Sequence, residues 1–75
     1  PNPTSSVLNI EYQSNYIEDV RVELFNSIGE IVFSEIHYAL DVLSLSLDVD
    51  QYSKGVYQVR ILGGEKLETK LFIVH

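Results

Sequence analysis

His37 and His75 are the only imidazoles in this chain, and cysteine is absent. Catalysis and metal binding both need reactive groups that converge on one point. His37 stands in a segment of Tyr and Ile residues, and His75 is the last residue. A lone histidine of either kind is more often structural or solvated than a ligand. Serine is frequent, but no G-x-S-x-G elbow occurs. The 4 glycines compose neither G-x-G-x-x-G nor a phosphate-binding loop. The expectation is a non-enzymatic chain with no cofactor and no metal.

Two weaker constellations remain. Asp48 and Asp50 lie two apart, on one face of a strand. With Asp41 or a loop oxygen they could contribute to a Ca²⁺ site, but the D-x-D-x-D-G spacing of a calcium loop is missing. A solvated acidic edge is the plainer reading. Of the 5 tyrosines, Tyr12, Tyr52 and Tyr57 point inward by alternation. Tyr16 and Tyr38 are left as candidates to stack on a sugar.

Charge narrows the partners further. Net charge is -6, from 11 acidic and 5 basic side chains. Nucleic-acid binding requires a concentrated basic surface, which Arg21, Lys54, Arg60, Lys66 and Lys70 do not make. An anionic membrane surface would repel the chain for the same reason. The longest apolar run, Leu71 to Val74, is far too short for a transmembrane segment. With 75 residues, of which 45% are hydrophobic, the chain reads as one domain, 1–75, with a real core. It starts at Pro1 without a methionine, which suggests a fragment of a longer polypeptide.

The elements that must carry these residues follow a period of two. In Val7 to Tyr12, Leu8, Ile10 and Tyr12 share a face. Val20 to Leu24 alternates with Arg21 and Glu23 outward. Asn26 to Gly29 supplies a turn, with Gly29 free to take a positive φ. A strand over Ile31 to about Ile36 returns from it. Leu43 to Val49 alternates again, and Tyr52 to Gly55 turns the chain. Val56 to Leu62 is a strand with Tyr57, Val59 and Ile61 on one face. Gly63-Gly64 fits a two-residue hairpin loop, and Leu67 to Val74 is the last strand. A short helical turn near Ala39 is also compatible with the pattern. The spacing predicts an all-β fold, a small Ig-like antiparallel β-sandwich of six to seven strands.

Several of these features stand in a recognisable order. The chain opens Pro1-Asn2-Pro3-Thr4, and a strand follows at once. The middle hairpin carries Asn26-Ser27-Ile28-Gly29. Lys54-Gly55-Val56-Tyr57 comes late, and the chain closes on Lys70-Leu71-Phe72-Ile73-Val74. In this order the chain resembles the type A C-terminal sorting domain of the type IX (Por) secretion system of Bacteroidota. Each motif also has a plain structural reading. Pro1 and Pro3 stiffen the lead-in, Gly29 and Gly55 relieve turns, and Tyr57 fills the core.

The resemblance implies a non-catalytic signal domain joined covalently to an upstream cargo domain. It implies passage from the periplasm through the type IX translocon to the cell surface or the medium, with a sortase-like peptidase as a second partner. The signal-motif residues it points to are Pro1, Asn2, Pro3, Gly29, Lys54, Gly55, Tyr57, Lys70, Leu71, Ile73 and Val74. Two departures from the family pattern are Ser53, where proline is common, and His75, where lysine or arginine is common. The alternative is an Ig-like or fibronectin-like module that binds carbohydrate, protein or calcium beside a secreted enzyme. A structural spacer is a third reading.

Overall fold

A computed structural model describes residues 7–64 and 66–75, with side chains for all of these but Ala39 and Leu40. Four strands form one antiparallel sheet: β1 (Val7–Phe25), β2 (Ile31–Asp48), β3 (Gly55–Gly63) and β4 (Lys66–Val74). Their order across the sheet is β2-β1-β3-β4. The described residues contain no helix.

Among the described residues there are four strands, where six or seven were expected. The strands anticipated at Val7 to Tyr12 and Val20 to Leu24 are one 19-residue strand, β1. Those at Ile31 to Ile36 and Leu43 to Val49 merge into the 18-residue β2, with Val49 just beyond its end. The reason is local. Neither 13–19 nor 37–42 contains a glycine or a proline, so nothing breaks the extended backbone there. The helical turn near Ala39 is corrected likewise, because β2 pairs with β1 on both sides of it.

The long ribbon bends instead of breaking. Gln13 pairs with Val42 and the next pair is Glu18 with Leu40, so β1 carries the extra residues of a bulge. Bulges kink a strand and increase its twist. The kink folds the first half of β1 back across the sheet. Ile10 and Tyr12 thereby join Val20, Val22 and Leu24 from the other half of the same strand in one core, with Leu43, Val59 and Ile61. Val20, Val22 and Leu24 are wholly buried at its centre, and each stabilises the fold by about 1.5–3 kcal/mol.

Inward and outward faces follow the alternation read from the sequence. Tyr57, Val59 and Ile61 are all buried. Arg21 is exposed, as expected. Glu23 differs, since it sits on the outer face yet is only 9% exposed. Its neighbours across the ladder are Ser34 and Arg60, and Arg21 lies 3.8 Å away.

Candidate functional site

The signal-motif residues fall into three groups in space. Pro1, Asn2 and Pro3 lie outside the described residues. The second group occupies turns. Gly29 N–H donates to the Asn26 carbonyl at 3.0 Å. Asn26 Oδ1 accepts from Ile28 N–H and Glu30 N–H at 3.1 and 2.9 Å. Gly29 takes φ of 87°, a left-handed conformation that glycine adopts without a Cβ clash. This side-chain-capped turn connects β1 to β2.

Lys54, Gly55 and Tyr57 form the turn into β3. Gly55 has φ of 151°, a region almost closed to other residues. Lys54 is exposed beside it. The Tyr57 hydroxyl donates to the Ser53 carbonyl at 2.6 Å. Its ring stacks on Phe72 of β4, with centroids 5.4 Å apart, and lies 5.9 Å from the Tyr52 ring. The bond ties a buried ring back to the backbone just ahead of its own strand. Tyr57 therefore locks the 49–55 turn to β3 and β4, a role that accounts for the K-G-x-Y spacing structurally.

The third group lies on β4, and the sheet divides it. Phe72 and Val74 point inward, opposite Tyr57 and Gly55; Lys70, opposite Val59, lies on the same side of the strand but is exposed. Val74 is buried with Val49 and Tyr57. Leu67, Leu71 and Ile73 point outward and are 55%, 70% and 57% exposed. β4 is an edge strand, paired with β3 alone among the described residues. Its pairing runs from Gly55–Val74 to Gly63–Lys66 without a register shift. The opposite edge belongs to β2, whose pairing with β1 shifts three times. Bulges blunt an edge; among the described residues β4 is an open edge that is regular along its whole length.

Beside β4, Leu8 and Ile10 of β1 approach Val59, Ile61 and Phe72 around a cavity of about 70 Å³. Glu11 and Lys70 lie at its border.

At the far end Tyr12, Glu18 and the Gly63-Gly64 pair interlock. The Tyr12 hydroxyl donates to Glu18 Oε1 at 3.3 Å. A Cβ on Gly63 would collide with that hydroxyl and lie 2.9 Å from Tyr12 Cζ. Burial first, then the Glu18 charge, pushes the Tyr12 phenol above its ordinary pKa. Burial does the same to Tyr52. Lys66 Nζ stands 5.2 Å over the Tyr12 ring and donates to the Gln13 carbonyl at 3.1 Å. The expected two-residue glycine loop is shifted. Gly63 is still paired with Lys66, and only Gly64 of the two has a positive φ, 31°. The close approach to Tyr12, which no local sequence signal announces, is what requires glycine at position 63.

The remaining candidates do not converge. His37 Nε2 lies 2.6 Å from Glu35 Oε1, and His75 is exposed after β4. Asp48 Oδ1 accepts the Asp50 N–H at 3.0 Å, an Asx turn. Among the described residues no three His, Cys, Asp or Glu groups gather as metal ligands. Tyr16 and Tyr38 are 75% and 69% exposed but line separate clefts. No described helix is long and apolar enough to cross a membrane.

Fold and surface together define a small antiparallel β module whose most regular open feature is a strand edge, a surface suited to being bound. The family model for the secretion system C-terminal sorting domain matches residues 1–75, and the chain belongs to that family, the sorting domains of type IX secretion. Neither a curated protein nor a solved structure matches the chain.

Proposed function

We propose that this chain is a non-catalytic export signal that carries a covalently attached upstream cargo through the outer-membrane translocon of a type IX secretion system. Family membership supports a C-terminal sorting signal for type IX secretion. The route then runs through the periplasm to the cell surface or the medium of a Bacteroidota host. A sortase-like peptidase is the second partner. Ile10 and Tyr12 packing against the other half of β1, and a Tyr57–Ser53 bond like the tyrosine corner of such domains, support kinship with Ig-like sandwiches.

The observation that carries the reading is the regular open edge of β4 with Leu71 and Ile73 exposed on it. An open strand edge offers main-chain hydrogen bonds, and its alternate side chains offer specificity. On this reading Lys70, Leu71 and Ile73 meet the machinery. Val74, Tyr57 and Gly55 hold the strand in place, and Gly29 shapes the turn from β1 to β2.

The test fuses residues 1–75 to a periplasm-directed fluorescent protein in a Bacteroidota host with and without a working translocon. Removing Leu71 to His75 is a poor probe, because it also removes Phe72 and Val74 from the core. The informative variant is Leu71→Ser with Ile73→Ser, which changes outward side chains only. Export of the parent fusion that depends on the translocon, and its loss in this variant, is the expected result. Unchanged export of the variant overturns the role of β4.

A further inference from the structure

We propose that β4 is also a self-association edge: two copies pair β4 to β4, antiparallel, about a two-fold axis at Thr69. The sheet would then run continuously through eight strands. Backbone regularity makes this possible, because β4 pairs with β3 without a shift along its whole length. Its outer side is unpaired among the described residues.

Symmetry limits the registers. A two-fold axis normal to the sheet requires a residue to face its own copy, with neighbours facing at equal and opposite offsets. Centred on Glu68, the pairing sets Glu68 against Glu68 and Lys66 against Lys70. Centred on Lys70, it sets Lys70 against Lys70. Like charges directly opposite are destabilising. Centred on Leu71, it leaves Glu68 and Lys70 facing Val74 and Phe72. Centred on Thr69, Glu68 faces Lys70 twice and Leu67 faces Leu71 twice, with Lys66 opposite Phe72 at each end. The first pairing lies on the inner face and the second on the outer face, consistent with the intramolecular register. Opposite charges and apolar pairs each favour such a ladder.

The same residues therefore guard the edge and select its partner. Edge lysines normally discourage strand addition. Here Lys70 is neutralised by Glu68 of a second copy in one register and repelled in the adjacent ones. Leu67 and Leu71, 55% and 70% exposed in the single chain, become covered.

Sedimentation velocity of the 75-residue chain over a concentration series tests this. The parent is expected to form a dimer in a concentration-dependent way. Glu68→Lys and Lys70→Glu, each alone, should weaken it at least about tenfold, since two favourable pairs become repulsive. An equimolar mixture of the two variants should form a mixed dimer, and the double charge swap should restore the homodimer. These last two results also establish that the single variants fold. Thr69→Cys should oxidise readily to a disulfide dimer, because facing Cα atoms at about 4.5–5.5 Å suit the bond. Leu71→Cys should not. A parent that stays monomeric, single reversals without effect, or failure of both mixture and double swap overturns the proposal. None of these readouts involves a translocon, so they stand or fall separately from the export test.

Discussion

Gly63 shows how one absent side chain can organise the domain. Its missing Cβ leaves room for the Tyr12 hydroxyl and ring, which let the folded-back half of β1 seat on the sheet. Gly63→Ala should destabilise the domain by about 1–3 kcal/mol, as overpacking does, in a denaturant titration with unchanged slope. Tyr12 adds a pH dependence. Its phenol lies above the ordinary value in the folded chain, so the unfolded chain loses the proton first. Stability is then fully present below about pH 10 and falls as pH rises through the folded value. Tyr12→Phe should flatten that alkaline decline, read from melting temperature against pH. Tyr57→Phe removes the bond to the Ser53 carbonyl and should cost about 0.5–1.5 kcal/mol, with the Phe72 stacking retained.

At the level of elements, β4 divides its labour by face. Inward Phe72 and Val74 complete the core, while outward Leu71 and Ile73 do not. Leu71→Ser should shift stability by no more than about 0.5 kcal/mol, as surface changes generally do. Phe72→Ala should cost at least about 2 kcal/mol, less than a fully buried phenylalanine because Phe72 is only half-buried. Comparing the two in thermal melts separates folding from recognition on one strand. The β1–β2 turn is held by Asn26 instead of by packing. Four of its five residues, Ser27 to Glu30, are exposed.

For the whole molecule, export and self-pairing draw on the same edge. A dimer built on β4 covers Leu67 and Leu71, so a second copy and an export partner would compete for it. Raising the domain's concentration should then slow engagement of any partner that needs β4, and the double charge swap of Glu68 and Lys70 should preserve that competition. Much of this molecule was legible in the residues. The alternation of Ile10 with Tyr12, of Val20 through Leu24 and of Tyr57 through Ile61 marks the inner face, because side chains in a strand repeat every two residues. Asn26 to Gly29 and Lys54-Gly55 announce their turns by backbone chemistry, and the ordered motifs point to the family. What the residues alone left open is non-local. The bulge after Gln13, the fold-back that sets Tyr12 on Gly63 and the strand order all depend on which strands meet. The period-two pattern states which way a side chain faces, not which strand lies beside it. An open edge on β4 exists only because β3 takes its other neighbour from β1, a choice made by burial of the whole core.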